Sequence, residues 1–157
     1  KTIDDRAWLG LDPGADGAVV VLWKGGTASY RTPGTQLEML RTLKRIRNEY
    51  TNLFCVVEKV GGYIFGRGTG PSMFNFGMNY GGWLMALTAA EIPFEAVTPP
   101  VWMKEFSMKR GKGESSRDWK NRLKGVAERL FPGRRITLSD ADAYLLAEYC
   151  KRTFPTF

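Results

Sequence analysis

Short unbroken apolar runs, each ending in a turn or an acid, punctuate the chain, and between them apolar residues return every third or fourth position. Trp8-Leu9-Gly10-Leu11 is a run of the kind that forms a buried strand, and Asp12-Pro13-Gly14 ends it in a turn, leaving Asp12 at the strand's carboxyl end. Residues 17–23 and 27–31 read as two further strands. The intervening Lys24-Gly25-Gly26 suits a hairpin between antiparallel neighbours. Thr35 and Glu38 make a Thr-x-x-Glu capping box, after which Leu37, Leu40, Leu43, Ile46 and Tyr50 recur at helical spacing. This predicts an amphipathic helix covering the sheet, with Arg41, Lys44, Arg45 and Arg47 on its other faces. Leu53 to Val57 is again continuous, short enough for a central strand buried on both faces, and Glu58 follows it directly.

Residues 61–70 form a glycine-rich loop that also carries Tyr63, Ile64, Phe65 and Arg67. Pro71 to Ala90 is helical in pattern despite Gly77, Gly81 and Gly82, which close backbone packing is expected to offset. Phe94 to Val97 is a short strand, and Pro99-Pro100 opens a brief helical turn through Trp102 and Phe106. The polar, basic stretch from Ser107 to Arg117 reads as an exposed loop. Ser116 caps a helix with Trp119, Leu123, Val126, Ala127 and Leu130 at its apolar positions, and Ser139 caps a last one through Cys150. The expected fold is α/β, a mixed sheet with a leading antiparallel meander and helices on both faces. No repeat or linker interrupts it, so residues 1–157 read as a single domain.

Composition narrows the chemistry. Histidine is absent, which excludes Ser-His-Asp and Cys-His relays and leaves hydrolysis to carboxylates, lysine, tyrosine or metal-bound water. The two cysteines, Cys55 and Cys150, form no CxxC pair and read as buried thiols of a reducing compartment. Apolar stretches fall short of the roughly 20 residues a membrane span requires, and Lys1 to Arg6 lacks a signal-peptide core. No membrane association and an intracellular location are expected: the cytoplasm or nucleoid of a bacterial or phage-infected cell, or an organelle. Lys and Arg number 23 against 16 Asp and Glu, a net charge of +7 that favours a polyanionic partner.

Asp12, Glu58, Asp140 and Asp142 each stand where a strand ends or a helix begins. If the strands of Asp12 and Glu58 are parallel neighbours, their acids share one edge of the sheet. Clustered carboxylates without histidine repel one another, and hard oxygen donors select Mg²⁺ or Mn²⁺, the setting of two-metal phosphodiester hydrolysis. Each acid also has a plain structural use: Asp12 as a turn aspartate, Glu58 as a solvated strand end, Asp140 and Asp142 in a capping box begun by Ser139. Asp16, within Gly14 to Gly17, reads as a turn residue. Lys109-Arg110-Gly111-Lys112 can approach phosphates, as can the helix face of Lys120 and Lys124, while Tyr63 and Phe65 either fold onto the core or stack at unpaired bases.

The chain resembles the RuvC-like Holliday-junction resolvases of the RNase H-like superfamily, particularly the phage-type and plant chloroplast resolvases. The matching blocks are Gly10-Leu11-Asp12-Pro13-Gly14 with Gly17-Ala18, Val57-Glu58 before a glycine-rich stretch, and Phe76-Gly77-x-x-Tyr80-Gly81. Pro99-Pro100-x-Trp102-x-Lys104, Lys120 upstream of Leu130-Phe131-Pro132, and Ala141-Asp142-Ala143-Tyr144-Leu145-Leu146 follow in family order. The resemblance implies an RNase H-like five-stranded sheet and a dimeric endonuclease that cuts four-way DNA junctions. It implies two Mg²⁺ ions on Asp12, Glu58, Asp142 and a fourth acid, Asp140, with no nucleotide cofactor. It also implies phosphate contacts from Lys120 and Lys104; on this reading Tyr63 or Phe65 probes the opened junction centre and Arg67 binds DNA. Two departures stand out: Asp140 is two residues before Asp142 where the family places an acid three or more before it, and Met103 separates Trp102 from Lys104. A different RNase H-like nuclease, acting on hybrids or flaps, and a non-catalytic junction-binding module are the competing readings.

Overall fold

The computed structural model describes residues 6–59, 61 and 70–157. Five strands form one mixed sheet in the order β3-β2-β1-β4-β5. They are β1 (Arg6–Leu11), β2 (Ala18–Trp23), β3 (Gly26–Arg31), β4 (Asn52–Glu58) and β5 (Phe94–Val97). The first three make the expected antiparallel meander, with Trp23 paired to Gly26 across the two-residue turn Lys24-Gly25. β4 joins β1 in parallel, and β5 joins β4 in parallel.

Because successive strand residues point to opposite faces, the sheet builds two cores. Trp8, Val20, Leu22 and Val56 face α3 (Pro99–Glu105), α4 (Ser116–Leu130) and α5 (Ala141–Thr153). Leu9, Leu11, Val19, Val21, Cys55 and Val57 face α1 (Gln36–Glu49) and α2 (Gly70–Ala89). Both cysteines are buried and unpaired. Gly10 is what lets α5 lie on β1: a Cβ there would stand 2.2 Å from the Ala143 carbonyl oxygen and 2.2 Å from the Ala147 nitrogen.

Several local expectations are corrected. α1 buries Met39, Leu43 and Ile46, whereas Leu37 is 55% exposed, so the apolar stripe is rotated from the one the leucines suggest. Of the α2 glycines only Gly82 is closely approached, by Gln36 and Met39 of α1, while Gly77 and Gly81 face open space. The cap of α4 is Ser115, whose hydroxyl accepts from the Asp118 N–H; the Ser116 hydroxyl accepts from Arg110 instead. α5 has Asp140, not Ser139, at its cap position, and the Asp140 side chain turns back to the Thr137 N–H rather than forward to the helix amides.

Candidate active site

The parallel register Leu11↔Val57 sets the following residues, Asp12 and Glu58, beside each other at one edge of the sheet. α5, seated over Gly10 at Ala143, brings Asp142 to the same edge. The three acids line a single pocket of about 470 Å³ together with Asp16, Phe76, Lys120, Leu138 and Ser139. Local sequence sets each one. Asp12 accepts from the Gly14 N–H through Oδ1 at 3.1 Å, so the turn use of the Asp-Pro-Gly motif holds while the residue also lines the pocket. A Cβ at Gly17 would stand 2.2 Å from the Asp12 carbonyl oxygen, so glycine is needed for the chain to double back there. Glu58 accepts from the Trp102 indole N–H at 2.8 Å through Oε2, and Trp102 itself is fully buried between sheet and α4.

The acids hold their protons far more tightly than carboxylates in water. Burial raises Glu58 to about 8, helped by the charges of Asp12 and Asp142 and opposed by the Trp102 hydrogen bond. Burial likewise raises Asp142 to about 7, with Asp12 adding to the rise and Lys120 opposing it. Asp12 is raised for the same first reason, against the Gly14 amide and Lys120. Four carboxylates, Asp16 included, thus share a pocket with a single lysine. Among the described residues no three His, Cys, Asp or Glu side chains are drawn together closely enough to hold a metal ion. The donor chemistry nonetheless suits a hard divalent cation: oxygen ligands only, and anions that only a cation can relieve.

The other expected residues fall into three groups. Lys120 lies in the pocket. Asp140 does not: it is buried, with Oδ1 accepting from the Thr137 N–H at 2.7 Å and the Thr137 hydroxyl at 2.9 Å, and Oδ2 from the Ser29 hydroxyl at 3.0 Å. The fourth carboxylate lining the pocket is Asp16, expected only as a turn residue. Lys104, Lys109 and Arg110 gather in a neighbouring groove between α3 and α4, Lys112 is exposed in the loop beyond, and Lys124 pairs with Glu128 at 3.3 Å. Tyr63, Phe65 and Arg67 lie outside the described residues.

Two features escape a reading of the sequence alone. Trp102 reads as an apolar position, and only its indole N–H, a donor that a buried ring must satisfy, hints at a polar partner. The loop between α3 and α4, which ends at Ser115 rather than Arg117, is held by Glu114, which accepts from the Gly111 N–H at 2.8 Å and from Arg122 at 2.7 and 3.0 Å. Arg122 in turn donates to the Lys109 carbonyl at 2.8 Å.

No family model and no curated protein matches this chain by sequence. Its fold does match solved structures. Thermus thermophilus RuvC in complex with a Holliday junction substrate aligns with a TM-score of 0.60 at 14% identity, covering 95% of this chain and 96% of the other. A second structure of Thermus thermophilus RuvC gives 0.59 at 16% identity, covering 94% and 95%. The chain therefore has a RuvC-like, RNase H-like fold, as the motif resemblance implies.

Proposed function

From that fold and this pocket we propose that the chain is one nuclease domain of a homodimeric, metal-dependent endodeoxyribonuclease that nicks four-way DNA junctions symmetrically, leaving 5′-phosphate and 3′-hydroxyl ends. One observation carries the reading: three sequence-distant acids and Lys120 share a pocket on a sheet edge of a RuvC-like fold. Asp12, Glu58 and Asp142 would hold Mg²⁺, replaceable by Mn²⁺, and when bound the ions supply an activated water and offset charge on the phosphate. Lys120 binds a phosphate oxygen and opposes the carboxylate charge. Trp102 orients Glu58. Lys104, Lys109, Arg110, Lys112 and Lys124 meet the flanking backbone, with Tyr63, Phe65 and Arg67 at the branch point.

Branched DNA as partner is supported by the junction-bound RuvC of the same fold and by the +7 charge. Paired nicks on opposing strands need two centres related by a two-fold axis. The exposed Leu37, Met78 and Met85, which line a groove between α1 and α2, are compatible with such a pairing.

The test is cleavage of a four-way junction, each strand end-labelled in turn, beside a linear duplex and an RNA–DNA hybrid, with Mg²⁺ or with EDTA. Symmetric Mg²⁺-dependent nicks near the branch point, with the linear substrates intact, are expected. Equal cutting of hybrid would assign a different RNase H-like nuclease. Tight junction binding with no turnover in Mg²⁺ or Mn²⁺ would assign a binding module.

A further inference from the structure

A second concavity, lined from α3, α4 and the loop between them, is larger than the acidic pocket, about 810 Å³ against about 470 Å³. It falls in the range of about 300–1,000 Å³ over which protein sites enclose small ligands. Pro99, Met103, Met108 and Trp119 make it apolar. The last three pack from below against the core around Trp102 and Leu123, so this floor is anchored. Lys104, Lys109 and Arg110 also line it. Among the described residues, neither Lys104 nor Lys109 has a carboxylate partner. The rim is built rather than loose: Arg110 donates to the Glu114 carbonyl at 2.9 Å, and the Arg122 guanidinium, clamped by Glu114, lies 5.0 Å from the centre of the Trp119 ring.

We propose that this groove between α3 and α4 is a nucleotide subsite that takes an unstacked base of a DNA single strand, with the adjoining phosphates on Lys104 and Lys109. An aromatic and thioether floor matches the face of a base, and lysines without a carboxylate partner among the described residues fit phosphates. A purely ionic ligand would leave the apolar floor unused, and an apolar peptide would leave the cations unmatched. Position adds a further argument, which rests on the proposed function. On α3, Trp102 reaches Glu58 while its neighbour Met103 lines the groove; on α4, Lys120 lines the acidic pocket while its neighbour Trp119 lines the groove. Both sites therefore draw on α3 and α4, and a branch point is where nucleotides come unpaired.

Affinity for a labelled single-stranded thymidine oligonucleotide, a four-way junction and a linear duplex, measured by anisotropy in EDTA, tests this, with junction cleavage in Mg²⁺ run alongside. Trp119→Ala and Met108→Ala are each expected to weaken single-strand binding about fivefold or more, the loss typical of one base–aromatic contact, and to leave duplex affinity within about twofold. Met108→Ala alters a partly exposed side chain without changing charge, and a thermal melt of each variant separates lost binding from lost folding. Unchanged single-strand affinity in both folded variants, or no single-strand binding by the wild type, overturns the subsite. So does an equal fall for single strand and duplex, which would make the groove a plain phosphate contact. A wild type that cuts junctions but has an indifferent groove refutes the subsite alone; groove-dependent strand binding without any cutting supports the subsite and refutes the nuclease.

Discussion

Asp140 and Asp142, two residues apart, show how little spacing separates an acid tied into the fold from one that lines the pocket. Both oxygens of Asp140 are used in tying β3 and the Thr137 turn to the start of α5. Asp142 spends its charge in the pocket, where burial and Asp12 oppose ionisation. Asp140→Ala should therefore cost about 1–2 kcal/mol in denaturant unfolding, since it removes the shared acceptor of three partly buried hydrogen bonds. Asp142→Asn should abolish cleavage while leaving the metal-free protein at least as stable above pH 7. Loss of stability in Asp142→Asn, with Asp140→Ala unaffected, would reverse these roles. Titration follows the same physics. The folded chain holds the Glu58 and Asp142 protons more tightly than the unfolded chain does, so metal-free stability should fall as pH rises from the ordinary carboxylate range through about 7 and about 8, then level off. Thermal melts in EDTA across that window read this directly, and Glu58→Gln should flatten the slope. Mg²⁺, which binds only the ionised forms, should raise the melting temperature more at the alkaline end. The sequence made Asp12, Glu58 and Asp142 legible because strand ends and a helix start are marked locally. It could not tell Asp140 from Asp16, because which oxygen faces which partner is decided by contacts more than 100 residues away, as with Ser29.

At the scale of elements, the seat of α5 on β1 does most to position the site. Gly10→Ala drives a methyl into helix backbone on two sides, so it should destabilise the fold by about 3 kcal/mol in chemical denaturation and depress cleavage by displacing Asp142. A variant as stable as the wild type would mean that α5 sits farther from the sheet. β1, β2 and β4 are readable from short apolar runs because they are buried on both faces, whereas β3, which buries no residue fully, is readable from the glycine turn that pairs it with β2. The orientation of α1 is not, since Leu37 and Met39 are equally apolar and only the position of α2 decides which one is covered. The Thr35 cap is readable and forms, but its Glu38 carboxylate pairs with Arg41 at 2.8 Å, a partner just as near in sequence. Nor does composition disclose that one residue, Glu114, orders the basic loop.

Across the whole molecule, a net charge of +7 accompanies a pocket lined by acids. The proposed function places binding on the cationic residues and chemistry at the sheet edge. Junction affinity should consequently fall steeply and linearly on a log–log plot against salt, with Lys104→Ala and Lys109→Ala each lowering the slope by about one. A flat salt response would place binding elsewhere. The most direct test measures cleavage rate and junction affinity together in Asp12→Asn, the variant at the centre of the acidic pocket. The account predicts a loss of cleavage of about 100-fold or more in Mg²⁺ with junction affinity in EDTA kept within about threefold. Cleavage close to the wild-type rate in the folded variant would contradict it.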